Sequence, residues 1–170
     1  MKIIISDVPS ERLKELLGEK LEQQPDVRII ADDGGAIKNC IGCFGCWVKM
    51  PGECVIRDDY CEMGRLFSQA EQILLVSRPV YGGYSPFVKN VLDRALGYLH
   101  PYFVRRKGET HHKRRYDNKI KLRPIFYGRV TEDERVIARR LVRANALNYD
   151  ADYLEPAFFP DEQSLREVRL

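Results

Sequence analysis

The sequence predicts an α/β domain with a doubly wound, five-stranded parallel sheet in the order 2-1-3-4-5 and helices on both faces. Three observations lead to this prediction. Short apolar runs of strand length alternate with stretches whose apolar residues recur at helical spacing. Residues 73–76 form an uninterrupted apolar run, which is typical of a parallel strand buried on both faces. The chain has 170 residues, which suits one core.

The first half of the chain begins with a strand over residues 3–5. Ser10 is a plausible N-cap for the helix that follows, in which leucines recur at i, i+3, i+4 and i+8. Pro25 ends that helix, and residues 27–31 form the second strand. A short helix is expected over residues 60–70, before the central strand.

The second half repeats the pattern. Ser85 and Pro86 start a helix, with proline at the first helical position. Residues 120–127 form a strand in which Pro124 reduces pairing on one side. Thr131 opens a capping box for the last long helix, and residues 153–158 form the edge strand. Right-handed crossovers between these strands give the predicted sheet.

These elements predict a single domain over residues 1–170, because no internal repeat or linker divides the chain. Two segments stand apart from the α/β pattern. One is a cysteine loop over residues 39–59, and the other is a polar, basic insertion over residues 101–118.

Charge and composition limit the classes of partner. The net charge is +3, and residues 105–119 alone hold seven Lys or Arg against two acidic residues. A general affinity for nucleic acid is therefore not predicted, and only this segment could bind an anion. No apolar run reaches the roughly 20 residues of a membrane helix, and no export signal is apparent. We expect a cytoplasmic protein without a membrane partner, whose five cysteines stay reduced.

Four cysteines follow the pattern Cys-x2-Cys-x2-Cys-x7-Cys, namely Cys40, Cys43, Cys46 and Cys54. Closely spaced thiolates can hold an iron–sulfur cluster, and soft sulfur also suits zinc. The alternative is a loop packed without metal, to which Ile41, Phe44 and Trp47 would supply apolar contacts. Cys61 lies outside the spacing and is interpreted as structural.

The loop after the central strand is the second candidate site. Ligands of open α/β sheets bind beyond the carboxyl ends of the strands, at the point where the strand order reverses. A proline, two adjacent glycines and tyrosines there could seat a flat heteroaromatic ring. An ordinary βα turn would use the same residue types. The candidate residues are Pro79, Val80, Tyr81, Gly82, Gly83, Tyr84 and Ser85.

These motifs together resemble the NAD(P)H-dependent FMN reductase-like flavoproteins, and especially the iron–sulfur flavoproteins. The resemblance extends from the cysteine loop through Gly52, the pair Asp58-Asp59 and the Pro79-Val80-Tyr81 run to Arg94. Its specific part covers about a third of the chain. It implies a flavodoxin-like fold, an FMN whose ring rests on the loop after the central strand, and NAD(P)H as co-substrate. It also implies a [4Fe–4S] cluster on the four cysteines and a homodimer or homotetramer.

One part of the family pattern is missing. Relatives cradle the FMN phosphate in a loop rich in Gly, Ser and Thr after the first strand. Here residues 6–12 contain no glycine and carry Asp7 and Glu11, whose charges would repel a phosphate. Ser6, Ser10 and Arg12 are the candidate phosphate contacts. Arg114 and Arg115 of the basic insertion could bind the phosphate of FMN or NADPH instead, and the alternative, which we favour, is that this insertion is a solvated loop or a dimer contact.

Three functions are compatible with this pattern. The first is an oxidoreductase in which FMN takes a hydride from NAD(P)H and passes electrons to an unidentified acceptor. The second is an electron carrier or cluster-bearing redox sensor without a nicotinamide site. The third is a flavodoxin-fold protein that has lost FMN together with the phosphate loop. No side chain stands out as a proton donor, and we interpret Asp58-Asp59 as a turn and Asp93-Arg94 as a structural pair.

Overall fold

The computed structural model of the protein describes residues 1–35 and 37–170. Its strands are β1 (Lys2–Ser6), β2 (Val27–Ala31), β3 (Gln72–Ser77), β4 (Leu99–Arg106), β5 (Glu109–Arg114), β6 (Lys121–Tyr127), β7 (Asp152–Tyr153) and β8 (Ala157–Phe159). Its helices are α1 (Ser10–Leu17), α2 (Glu19–Glu22), α3 (Gly45–Val48), α4 (Met63–Ser68), α5 (Pro86–Arg94) and α6 (Glu132–Tyr149). Two 3₁₀ helices lie at Ala95–Tyr98 and Gln163–Glu167.

The main sheet is parallel and has the order β2-β1-β3-β6, with β7 and β8 sharing the position beyond β6. This confirms the predicted order, with β6 as the fourth strand. The fifth strand is divided into two pieces opposite Pro124 of β6. Before Pro124, β7 pairs with Lys121 and Leu122, and after it β8 begins opposite Ile125. Proline has no N–H to donate, so the ladder is interrupted at this point.

The basic insertion is not an irregular loop. Most of it forms an antiparallel hairpin of β4 and β5, which is separate from the main sheet. Lys107 and Gly108 at its tip both have positive φ, 49° and 86°, as two-residue hairpin turns require. The hairpin has mostly half-exposed or exposed residues, so the apolar alternation that reveals a strand is missing from its sequence.

Both faces of the sheet are buried, because alternate residues of the central strands point to opposite sides. Ile3, Ile5 and Leu75 pack on the face covered by α4, α5 and α6. Ile4 and Leu74 pack on the other face, which α1 and the second 3₁₀ helix cover. Among the described residues, no helix combines the length and apolar character needed to cross a membrane.

Candidate functional site

Three loops meet at the carboxyl edge of the sheet. In the parallel register, Ser6 of β1 lies beside Val76 of β3, and Ser77 lies beside Phe126 of β6. The loops that leave β1, β3 and β6 are therefore neighbours. The chain goes from β1 to β2 on one side and returns to β3 on the other, so this edge is the switch point of the sheet.

The loop after β3 closes in a tight turn. Val80 and Gly83 exchange two backbone hydrogen bonds, with N···O distances of 3.0 and 2.8 Å. Tyr81 and Gly82 between them have positive φ, 50° and 78°, as in a two-residue hairpin turn. Within residues 1–35 and 37–170, the N–H groups of Tyr81 and Gly82 make no hydrogen bond. The Tyr81 side chain is 87% exposed, so the turn presents an aromatic ring beside two available donors.

The turn packs against α6 through Gly82. A Cβ at Gly82 would lie 2.7 Å from the carbonyl oxygen of Glu134 and 2.8 Å from Cβ of Ile137. Gly82 is therefore required by its backbone conformation and by its contact with α6. Gly83 is less constrained, since its added Cβ would meet the carbonyl oxygen of Val80 at 3.2 Å.

Tyr84 and Ser85 are buried and support the loop from below. The Tyr84 ring stacks on Phe126 with centroids 5.6 Å apart, and burial raises the pKa of the Tyr84 hydroxyl. Ser85 donates its N–H to Ser77 Oγ at 2.8 Å and caps α5 by accepting the N–H of Val88. Tyr84 is therefore part of the core, and Tyr81 is the tyrosine of this loop that faces solvent.

The predicted phosphate contacts after β1 bind other groups of the chain. Ser6 is fully buried, and its Oγ accepts the N–H of Val8 at 2.9 Å. Ser10 donates its N–H to Oδ1 of Asp33 at 2.6 Å. Arg12 pairs with two carboxylates, at 2.9 Å to Glu15 and 2.8 Å to Glu162.

Asp7 joins the three loops at this edge. Its side chain is 3% exposed, and it accepts the N–H of Arg78 at 2.9 Å and the hydroxyl of Tyr127 at 2.8 Å. Burial and the neighbouring Asp7 raise the pKa of Tyr127. A carboxylate that is held this firmly lies in the loop from which the resemblance implies phosphate contacts. The residues present fit the ring of a flavin but not its phosphate.

The cysteine loop packs near the hairpin. Cys40 and Cys43 are exposed, Cys46 is half-buried and Cys54 is buried. Burial and the neighbouring thiols raise the pKa of Cys46. The donor set suits a [4Fe–4S] cluster, but in the described part of the chain no three His, Cys, Asp or Glu side chains converge on a metal position. As placed, these residues do not fit the cluster.

Arg94 anchors the end of this loop to α5. Its side chain is fully buried and donates two hydrogen bonds to Asp58, at 2.7 and 2.8 Å, and one to Sγ of Cys54 at 3.2 Å. Burial, the largest single influence, would raise the pKa of Asp58. The hydrogen bonds from Arg94 and from the N–H groups of Tyr60 and Lys38, with the charge of Arg94, together outweigh burial and lower that pKa. The partner of Arg94 is thus Asp58, whereas Asp93 pairs with Lys89.

Trp47 joins the cysteine loop to the hairpin. Its indole N–H donates to the carbonyl oxygen of Leu99 at 3.0 Å, and its ring lies 4.6 Å from that of His112. Phe44 stacks on Trp47 with ring centroids 5.5 Å apart, although Phe44 is 61% exposed. The apolar packing considered for this loop therefore holds for Trp47 and in part for Phe44, whereas Ile41 is 71% exposed.

Arg114 and Arg115 are used within the chain. Arg114 pairs with Asp150 at 3.0 Å, and Arg115 donates to the carbonyl oxygens of Gly97 and Leu99. These contacts favour a structural role for both side chains over the anion contacts considered above.

No protein-family model matches the chain. A stretch of 64 residues, 38% of the chain, is 39% identical to the iron-sulfur flavoprotein of Archaeoglobus fulgidus. The match covers 28% of that relative. The resemblance to iron–sulfur flavoproteins is thus confirmed as a partial sequence match.

Several solved structures match nearly the whole chain. The NAD(P)H:quinone oxidoreductase of Methanothermobacter marburgensis has a TM-score of 0.61 and 15% identity, over 99% of this chain and 92% of that one. The general stress protein 14 of Treponema denticola, solved in complex with FMN, has a TM-score of 0.52 and 16% identity, over 98% and 89%. The fold is flavodoxin-like.

The flavodoxin-like fold brings most of the predicted ring-binding residues to one edge, although Tyr84 and Ser85 face inward. It also brings there a carboxylate that sequence reasoning missed. Asp33 follows β2, and the pairing of β1 with β2 places it beside Ser10. Because neighbouring parallel strands end at the same edge, an acidic residue directly after β2 was the available signal.

Proposed function

We propose that this chain is a flavin-dependent oxidoreductase that uses NAD(P)H and passes electrons to an acceptor. The turn after β3 carries the proposal, because it presents the exposed Tyr81 ring and two available N–H groups at the switch point of a flavodoxin-like sheet. The relatives support it: one is named an iron-sulfur flavoprotein, one a quinone oxidoreductase, and one was solved with FMN.

The chain's part in this function is binding and orientation. The N–H groups of Tyr81 and Gly82 would donate hydrogen bonds to the polar edge of the ring, and the Tyr81 side chain would stack on its face. The contact of Gly82 with α6 holds the turn in place. A bound flavin supplies hydride acceptance and onward electron transfer, so no proton-donating side chain is required.

Two further parts of the proposal rest on the resemblance alone. They are the nicotinamide nucleotide as co-substrate and the assembly into a homodimer or homotetramer. A cluster on Cys40, Cys43, Cys46 and Cys54 is not part of the proposed function, since the described cysteines do not converge on a metal position.

The test is flavin binding followed by turnover. Riboflavin and FMN are titrated separately into the purified protein, and quenching of flavin fluorescence reports binding. NAD(P)H oxidation with an added quinone then separates an enzyme from a carrier. We expect Tyr81→Ala to weaken flavin binding about tenfold, because base–aromatic stacking contributes roughly 1–3 kcal/mol.

Tyr102→Ala is the matched control for that variant. Tyr102 is an exposed tyrosine of the hairpin, 68% accessible, so its removal should leave flavin binding unchanged. Equal loss in both variants, or no loss in Tyr81→Ala, would contradict the assigned role of Tyr81. Failure of the wild-type protein to bind any flavin would contradict the proposed function.

The second candidate is a flavodoxin-fold protein that no longer binds a flavin and takes another ligand or partner. The hydrogen bond between Ser10 and Asp33 favours it, because it fills the position that relatives reserve for phosphate. The same titrations distinguish the two candidates.

A further inference from the structure

We propose that the flavin taken by this chain is unphosphorylated: the site selects riboflavin, or another neutral isoalloxazine, over FMN. The inference rests on the proposed function and specifies its ligand. It is carried by the groups around residues 6–12, where a phosphate would have to sit beside carboxylates.

Asp33 closes the start of α1. Its Oδ1 accepts the N–H of Ser10, the first residue of that helix, at 2.6 Å. A phosphate bound in the usual way would need this donor, so the carboxylate is an internal competitor with a negative charge of its own. Asp33 is exposed, so it meets any ligand that approaches from solvent.

Asp7 adds a second negative charge that cannot move away. The hydroxyl of Tyr127 and the N–H of Arg78 hold its two oxygens, from the loops after β6 and β3. Its side chain is almost wholly buried, and solvent screens the repulsion between like charges poorly at a buried position. A phosphate placed above it would be repelled.

The cations that could offset these charges are engaged. Arg12 pairs with Glu15 and Glu162. Lys14 pairs with Glu11 at 2.7 Å, which adds a further carboxylate in the first turn of α1. The guanidinium of Arg78 lies 3.7 Å from Asp7 itself.

A neutral flavin meets none of these penalties. Its ring uses the turn at Tyr81 and requires no donor from the β1 loop. Its sugar-like chain ends in a hydroxyl, and a hydroxyl can donate a hydrogen bond to an exposed carboxylate such as Asp33. The same carboxylate therefore rejects phosphate and accepts riboflavin.

The experiment compares riboflavin and FMN by fluorescence titration of the full chain at two salt concentrations. We expect riboflavin to bind at least about tenfold more tightly at low salt, since like charges at a site disfavour the charged ligand strongly. Added salt should tighten FMN binding by screening the repulsion and leave riboflavin binding unchanged.

Asp33→Asn tests the mechanism, because the amide oxygen can still accept from Ser10 without the charge. We expect this variant to reduce the ratio of the FMN dissociation constant to the riboflavin dissociation constant severalfold. Asp117→Asn, which neutralises an exposed aspartate of the basic insertion, should leave that ratio of dissociation constants unchanged.

The outcomes separate the two proposals. Tighter binding of FMN than of riboflavin by the wild-type protein, or an unchanged ratio of dissociation constants in Asp33→Asn, overturns this inference and leaves the proposed function standing. Binding of neither flavin overturns both.

Discussion

Two buried tyrosines differ in what their hydroxyl groups contact. The Tyr149 hydroxyl donates to the carbonyl oxygen of Leu92 at 2.6 Å, whereas within the described residues the Tyr84 hydroxyl has no partner. A buried polar group without a hydrogen bond costs roughly 1–3 kcal/mol. Tyr84→Phe should therefore raise the free energy of unfolding by about 1 kcal/mol, and Tyr149→Phe should lower it by a similar amount. Urea denaturation measures both, and destabilisation by Tyr84→Phe would contradict the assignment.

The Asp58–Arg94 pair makes a prediction about pH. The pKa of Asp58 is lowered in the folded protein, so its ionised form stabilises the fold. That contribution is fully present above the pKa of Asp58 in the unfolded chain, about 3.9. It is lost as the pH falls through the lower pKa that Asp58 has in the folded protein. Asp58→Asn should lower the free energy of unfolding by about 3 kcal/mol at neutral pH, because it leaves Arg94 buried without its charge partner.

The difference between wild type and Asp58→Asn should shrink as the pH is lowered through this range, because both then lack the charge. Urea unfolding at several pH values measures it, with Asp117→Asn as an exposed control. A difference that is independent of pH would mean that the carboxylate charge does not stabilise the fold.

At the scale of elements, the cysteine loop makes a prediction about thiol accessibility. Cys40 and Cys43 are exposed, whereas Cys54 is 8% exposed beneath the loop. In the native protein, Cys40 and Cys43 should react rapidly with Ellman's reagent, and Cys54 should react slowly until the protein unfolds. Serine variants at 40, 43 and 54 assign each phase. Slow reaction at all three positions would contradict this arrangement and would be the behaviour of cysteines bound to a cluster.

The elements also differ in how far local sequence reveals them. The last long helix was predicted because the capping-box pattern, Thr131 with Glu134, lies within four residues of sequence. The structure forms both of its hydrogen bonds. The hairpin of β4 and β5 was missed because it buries little and so carries no apolar alternation. The edge strand was predicted as one piece, since its division depends on Pro124 in another strand.

At the scale of the molecule, stability should fall from the centre of the sheet to its edge. β3 pairs along its length with both β1 and β6, and its apolar residues are buried on both faces. β7 and β8 have two and three residues and pair on one side with β6. Amide hydrogen exchange followed by mass spectrometry should be slowest in β3 and faster by orders of magnitude in β7 and β8. Equal protection in both regions would contradict this gradient.

The sequence by itself determined the order of the strands in the main sheet and the position of the turn after β3. Both follow from signals within a few residues, such as the apolar run of β3 and the glycine after Tyr81. Only the tertiary structure decided which groups meet across the sheet: Asp33 on Ser10, Asp7 between Arg78 and Tyr127, and Asp58 on Arg94. These contacts join residues 23 to 120 positions apart. Strand register and packing select them, and no local pattern encodes either.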